Sequence, residues 1–306
     1  MRQATLSVIG VPCDAGAGTF GAAMGPDALR VAGLIEGLEA LGCTLIDQGN
    51  LSGPKKLRPV EQAGLRNLAE VIQWCETTRD AVLSALSIPS MPVVLGGDHS
   101  LAMGSIAALA QYCQQTGKNL HVLWLDAHTD FNTELTTPSG NLHGMPLSCL
   151  CGYGPPALTG LAGFAPILSP AQITQVGIRS VDAAEKRFVH EQGIEIYDMR
   201  RIDELGMPAV MRSILSKLDA NTHLHVSLDV DFLDPDIAPG VGTAVLGGPT
   251  YREAQLCMEM IAESGCLGSL DIVELNPAYD IRNQTAKLIV DLVESLLGKS
   301  TLIRRA

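Results

Sequence analysis

Hydrophobic and polar positions follow two alternating periods along the chain. Short Leu-rich or β-branched runs recur at 5–11 (TLSVIGV), 43–47 (CTLID), 92–96 (PVVLG), 120–126 (LHVLWLD), 172–178 (QITQVGI), 194–198 (IEIYD), 223–229 (HLHVSLD) and 268–274 (GSLDIVE). Each reads as a strand. Between them, apolar residues return at the helical period over 26–41, 61–87, 100–115, 182–192, 207–219, 250–264 and 284–297. Pro26 suits the first turn of a helix, and Thr250 followed by Glu253 suits a capping box. Strand alternating with helix argues for a parallel sheet covered on both faces. Eight such units also suit a TIM barrel, so the count leaves both architectures open. No internal repeat is visible. Residues 51–60 (LSGPKKLRPV) come nearest to a linker and read as a surface loop.

Composition narrows this picture. Apolar residues make up 46% and aromatics only 4%, so the core is built mainly from Ala, Val, Ile and Leu, as a helix-covered parallel sheet requires. At 306 residues the chain suits one large α/β domain or two ordinary ones. A net charge of −12 argues against nucleic acid, which asks for a basic face. The acidity either steers a cationic substrate or serves solubility alone. Cys13, Cys43, Cys75, Cys113, Cys149, Cys151, Cys257 and Cys266 include no CxxC pair. Scattered thiols in a chain of this size point to a reducing, cytoplasmic setting. The start, MRQATLSVIGVP, lacks the form of a signal peptide, and no stretch reads as a membrane span. Residues 135–178 contain no Asp, Glu, Lys or Arg but hold His143 and many Gly, Pro, Ser and Thr, so they read as loops and short helices beside a site.

Four segments carry the chemistry, each where a predicted strand ends. Open parallel sheets bind ligands at those ends. In Gly96-Gly97-Asp98-His99-Ser100 the glycines allow a sharp turn from which His99 projects; a strand-to-helix turn capped by Asp98 or Ser100 gives the same pattern. In Asp126-Ala127-His128-Thr129-Asp130, side chains two apart lie on one side of an extended chain, so the three polar groups converge. Asp229-Val230-Asp231 places two carboxylates together at a buried strand end, where a cation relieves their repulsion. Glu274 adds an acid after LDIV. His99, Asp126, His128, Asp130, Asp229 and Asp231 are thus six candidate metal ligands. Their four carboxylates balance two divalent ions rather than one, and such pairs share a bridging water. Oxygen-rich donors with two imidazoles favour Mn2+, with Co2+ or another divalent transition ion also acceptable.

GGDHS (96–100), DAHTDFNT (126–133), SGNLHG (139–144), SLDVDFLDP (227–235) and DIVELNP (271–277) resemble, in order and spacing, the motifs of the arginase branch of the ureohydrolase superfamily. The resemblance spans most of the chain. It implies one domain over 1–306 with a three-layer αβα fold and a central, mostly parallel eight-stranded sheet, not a barrel. It also implies a dinuclear manganese hydrolase that converts L-arginine to L-ornithine and urea by attack of a metal-bridging hydroxide. His99, Asp126, Asp130 and Asp229 match the ligands of one ion, and Asp126, His128, Asp229 and Asp231 those of the other. Glu274 matches the acid that holds the guanidinium, and His143 the histidine assigned to proton transfer. Asn132, Thr137, Ser139 and Asn141 match residues around the substrate α-carboxylate. Asp182, with Glu185 nearby, matches recognition of the α-amino group, and Thr243 a residue supporting the glutamate.

SGNLHG separates this branch from agmatinases, whose substrate has no carboxylate. Two positions depart from the family pattern: Ser180 stands where an Asp is common, and Met145 where a Gln is common. Guanidinium carbon is a poor electrophile and water a weak nucleophile, so the reaction calls for metal-activated water. Glu274 orients the cationic head, Asp130 relays a proton to the departing nitrogen, and His143 either delivers that proton or regenerates the hydroxide. Agmatinase, guanidinobutyrase and formiminoglutamase activities are the neighbouring alternatives. A non-catalytic metal-binding relative is a different class, disfavoured by the intact ligand set. A nucleotide-binding protein is disfavoured because no phosphate loop follows a strand. Family members are commonly trimers or hexamers; the tail Lys299–Arg305 reads equally as an interface or a solvated end.

Overall fold

The computed structural model describes residues 4–54, 61–62 and 64–302, without the side chains of residues 61 and 62. Residues 55–60 of the expected surface loop and 303–305 of the basic tail lie outside the described residues. Eight parallel strands form one open sheet: β1 (Thr5–Val11), β2 (Thr44–Asn50), β3 (Met91–Gly96), β4 (Asn119–Leu125), β5 (Ile173–Ile178), β6 (Glu195–Asp198), β7 (Thr222–Asp229) and β8 (Leu267–Val273). Their order is β2-β1-β3-β8-β7-β4-β5-β6, and every adjacent pair runs parallel. The sheet has two free edges, β2 and β6, so the barrel that the strand count left open is excluded.

The period-two alternation of the strands feeds two cores. Ile9, Val11, Val94, Val122 and Trp124 face one layer of helices: α3 (Leu68–Leu86), α4 (Ala102–Thr116), α5 (Pro146–Leu150), α6 (Pro156–Thr159) and α7 (Ala183–Gln192). Leu6, Val8, Val93, Leu123, Val226 and Leu270 face the other: α1 (Gly25–Val31), α2 (Leu34–Ala40), α8 (Met199–Leu205), α9 (Met207–Leu215), α10 (Tyr251–Ser264) and α11 (Gln284–Leu296). Each fully buried Val, Leu or Ile contributes about 1.5–3 kcal/mol.

Helix boundaries differ from the sequence expectation in four places. The stretch 26–41 is two helices, because Gly33 at φ 94 breaks the register between α1 and α2. The stretch 61–87 becomes helical only at Leu68, after a small antiparallel hairpin of Glu61–Gln62 and Leu65–Arg66. Helix α9 stops at Leu215 rather than 219. Helix α8 was not expected at all. The capping box holds: Thr250 N–H donates to Glu253 Oε2 at 2.8 Å, and Pro26 lies in the first turn of α1. Residues 135–178 do contain short helices before β5 begins. Among the described residues, no helix is long and apolar enough to cross a membrane.

Candidate metal centre and pocket

The four chemical segments lie at the carboxyl ends of β3, β4, β7 and β8, the four central strands of the sheet. After β3 the chain turns at Asp98, whose carboxylate accepts from Ser100 N at 2.9 Å and Gly16 N at 2.8 Å, leaving His99 pointing across the strand ends. A side chain on Gly97 would collide with the Cys13 carbonyl, so glycine is required for this close approach. After β7, Asp229 caps a short 3-10 turn, Val230–Phe232, that contains Asp231, and Asp229 Oδ1 accepts from Asp231 N at 2.7 Å.

Asp126 joins two clusters. Its Oδ2 lies 3.2 Å from His99 Nδ1, and its Oδ1 lies 3.5 Å from His128 Nδ1. His99 Nδ1 also faces Asp130 Oδ2 at 3.2 Å and Asp229 Oδ2 at 3.1 Å, while His128 Nδ1 faces Asp231 Oδ2 at 3.1 Å. Ligand atoms of His99, Asp126 and Asp130 form one group within 4.8 Å of one another, and those of Asp126, His128 and Asp231 form a second. Asp229 sits beside the first group through His99. All six residues predicted as ligands therefore meet, but the expected straight run from Asp126 to Asp130 does not occur. The chain leaves β4 in a turn, and Asp130 adopts φ 48, a left-handed conformation rare outside glycine and a known reservoir of local strain at functional sites.

The electrostatics demand positive charge at these two points. Burial works against a charged His99 ring, yet Asp126, Asp130 and Asp229 outweigh it and raise its pKa well above the ordinary imidazole range. Burial likewise opposes charge on His128, but Asp126 and Asp231 push it up to about 12. Burial and then the nearby Asp126 push Asp130 up to about 7. Without a cation these carboxylates favour a proton on each imidazole, and a divalent cation would relieve the same negative charge. With hard carboxylate oxygens, two imidazole nitrogens and Asp126 common to both groups, the donor set fits divalent cations.

Glu274 occupies the turn after β8 at φ 63. Its Oε1 accepts from His99 N at 2.8 Å and lies 2.8 Å from His143 Nδ1. Burial disfavours ionised Glu274, but the facing His143 outweighs it and holds the carboxyl below its usual range. Conversely, burial disfavours charge on His143, and Glu274 overrides it to push the ring up to about 9. The backbone of His143 is fixed by donation from its N–H to Gly16 O at 3.1 Å.

A cleft of about 290 Å³ opens onto this cluster, lined by His128, Asp130, Asn132, Thr137, Ser139, Asn141, His143, Asp182, Glu185, Thr243 and Glu274 among others. The residues predicted around a substrate therefore line one cleft. Ser180 lines it too, whereas Met145 is fully buried in the core. Asp182 caps α7 and forms a capping box with Glu185, whose other oxygen accepts from Phe131 N at 2.8 Å. Asn132 Nδ2 donates to Asp182 at 3.1 Å. The Thr243 hydroxyl donates to Asp231 Oδ2 at 2.9 Å, so Thr243 meets Glu274 as a fellow lining residue of the cleft, while Glu274 Oε1 faces His99 N–H and His143.

Two supporting residues escaped the sequence reading. Trp124 stacks on His99 with ring centroids 3.9 Å apart and donates from Nε1 to Asp126 Oδ2 at 2.9 Å. Ser227 Oγ lies 2.8 Å from His99 Nε2, which commits that nitrogen and leaves Nδ1 toward the carboxylates. Both stand two residues before a ligand, on the same face of their strand, and that spacing is the signal that could have found them. Such outer partners fix ligand orientation.

Comparison with known proteins agrees with this architecture. Residues 4–298 match the family model described as Arginase family. The arginase of Bacillus caldovelox is 46% identical over 300 residues, spanning 97% of this chain and 99% of that one. Its solved native structure superimposes with a TM-score of 0.92 at 45% identity, covering 98% of this chain and 100% of that chain. The structure of Entamoeba histolytica arginase in complex with L-ornithine gives a TM-score of 0.90 at 30% identity, covering 98% of this chain and 100% of that one. With its matching sheet, its His/Asp cluster and nearly full-length similarity to these hydrolases, the chain belongs to the arginase family.

Proposed function

We propose that the chain hydrolyses the guanidinium group of L-arginine to give L-ornithine and urea, using two Mn2+ ions. His99, Asp126, Asp130 and Asp229 would hold one ion, and Asp126, His128, Asp229 and Asp231 the other. When bound, such a pair supplies Lewis acidity that makes water nucleophilic at neutral pH. The observation that carries this reading is Asp126, whose two oxygens face two different histidines at the floor of the cleft.

The chain's own residues divide the remaining work. Both contacts to Glu274 use Oε1, so Oε2 is left to accept from a cationic head group. Asp130 and His143 line the same cleft and suit the role of proton carriers, the first toward the departing amine. The amide oxygens of Asn132 and Asn141 are buried without a partner among the described residues, and such atoms are satisfied by a ligand or water. Together with Thr137 and Ser139 they suit the α-carboxylate end, directly or through water, while Asp182, with Glu185 behind it, suits the α-amino group. The Entamoeba relative solved with L-ornithine supports this choice of product. The same reading carries a cytoplasmic homo-oligomer, trimeric or hexameric.

The test is urea release from a panel of L-arginine, agmatine, guanidinobutyrate and formiminoglutamate, with Mn2+, Co2+ or Zn2+ added to metal-stripped protein. Manganese-stimulated turnover of arginine above the others is the expected result. Preference for agmatine or guanidinobutyrate moves the chain to a neighbouring activity, and metal binding without turnover of any of them marks a non-catalytic relative.

A further inference from the structure

Arg179 follows β5 and sits half-buried behind the Asp229–Asp231 turn. Its guanidinium makes six contacts of 2.7–3.2 Å, all to backbone carbonyls. Nη2 donates to Asp231 O and Leu233 O, Nη1 to Phe232 O and Gly177 O, and both Nε and Nη2 donate to Val245 O. Three of these acceptors are consecutive carbonyls at the end of a turn too short to satisfy them internally. The fourth belongs to β5 itself. The fifth, Val245, lies in the loop whose Thr243 hydroxyl holds Asp231. Every N–H of the fork is therefore used, and one side chain ties the ligand-bearing turn to the loop that lines the cleft. A side chain on Gly248 would come within 2.7 Å of Nη2, so the guanidinium is also packed in place.

We propose that Arg179 is a positioning residue. It sets Asp231 and Thr243 relative to each other, and through them the occupancy of the His128/Asp231 ion and the width of the cleft at Thr243. The inference rests on the two-metal reading above. Lysine, with one nitrogen, cannot span five acceptors arranged around a planar fork, so charge alone does not replace it. Breaking the clamp frees the turn and the loop together, which weakens the His128/Asp231 ion more than the other: the clamp grips the carbonyls of residues 231–233, whereas the shared Asp229 is still held as the last residue of β7, and His99, Asp126 and Asp130 depend on other strands.

The experiment compares wild type, Arg179→Lys and Arg179→Met after metal stripping. Mn2+ binding is followed by equilibrium titration, alongside steady-state kinetics on arginine at saturating Mn2+. Expected in both variants is a rise of about tenfold or more in the dissociation constant of one of the two ions, the range seen when outer-shell partners are removed. The other ion should change much less, and KM should rise more than kcat falls. In wild type, Mn2+ should slow hydrogen exchange of the 243–248 amides. Equal weakening of both ions, unchanged binding in Arg179→Lys, or no change in exchange overturns the proposal. If Arg179→Met does not fold, the lysine variant and the wild-type exchange measurement decide. Wild type that binds fewer than two ions, or leaves arginine intact, fails the functional reading instead, and does so before any variant is considered.

Discussion

Asp126 carries two jobs that conflict outside a metal site. Its oxygens accept from Trp124 Nε1 and His128 N while each faces a histidine ring. Glu274 is more separable, because it lines the cleft and its hydrogen bond to the ligand set is the one accepted from His99 N–H, which a glutamine oxygen retains. Glu274→Gln should lower kcat/KM for arginine by about 10²–10³-fold, the scale of losing one preorganised electrostatic contact, with Mn2+ affinity little changed; parallel kinetics and metal titration check this. The Glu274–His143 pair also sets a pH dependence in cation-free protein. The ring's folded pKa of about 9 lies above its ordinary 6.5, so its stabilisation is complete below 6.5 and is lost as pH rises through 9. Thermal unfolding of cation-free protein should therefore shift to lower temperature across that window, and the shift should shrink in His143→Asn. All six ligand candidates and Glu274 were legible because donors alternate, or stand alone, just after apolar runs. Asp130 was legible as a residue but not in its path, since period-two geometry does not anticipate a left-handed backbone. Trp124 and Ser227 were hidden because a tryptophan and a serine inside a strand read as core.

At the scale of elements, the turn after β3 is the most constrained. Gly97 packs against the Cys13 backbone, and its carbonyl accepts from Glu274 N at 2.7 Å. Gly97→Ala should therefore separate β3 from the β1 loop and loosen Glu274 in the same step. A loss of about 1–3 kcal/mol, typical of overpacking, is expected in denaturant unfolding, with activity reduced beyond what the remaining folded fraction explains. All eight sheet strands could be read from short hydrophobic runs: the inner strands are apolar because both of their faces are buried, whereas the edge strands β2 and β6, largely exposed or half-buried, were legible only from brief β-branched or aromatic runs. Helix α8 could not, since Asp198 both ends β6 and caps the helix, its Oδ1 accepting from Arg201 N at 2.9 Å; no Gly or Pro marks the change. The overlong reading at 61–87 fails at Asn67, which adopts φ 51 just before α3.

At the scale of the whole molecule, strand order was beyond the reach of periodicity. Hydrophobic period says which residues are buried, not which strand lies beside which; only the family resemblance supplied the open sheet. The observed order puts β8, the last strand in the chain, between β3 and β7. Donors near residues 99, 126–130 and 229–231 can assemble around a floor that is still split until Glu274 and its strand slot into that gap. Under the two-metal reading, cation capture would therefore report the final step of folding. In refolding from denaturant with Mn2+ present, helix signal in far-UV circular dichroism should recover ahead of metal uptake, because pairing across so long a stretch of chain is slow. Ribosome-bound chains that have not yet released β8 would carry all six ligand candidates and still be unable to close the vessel around them.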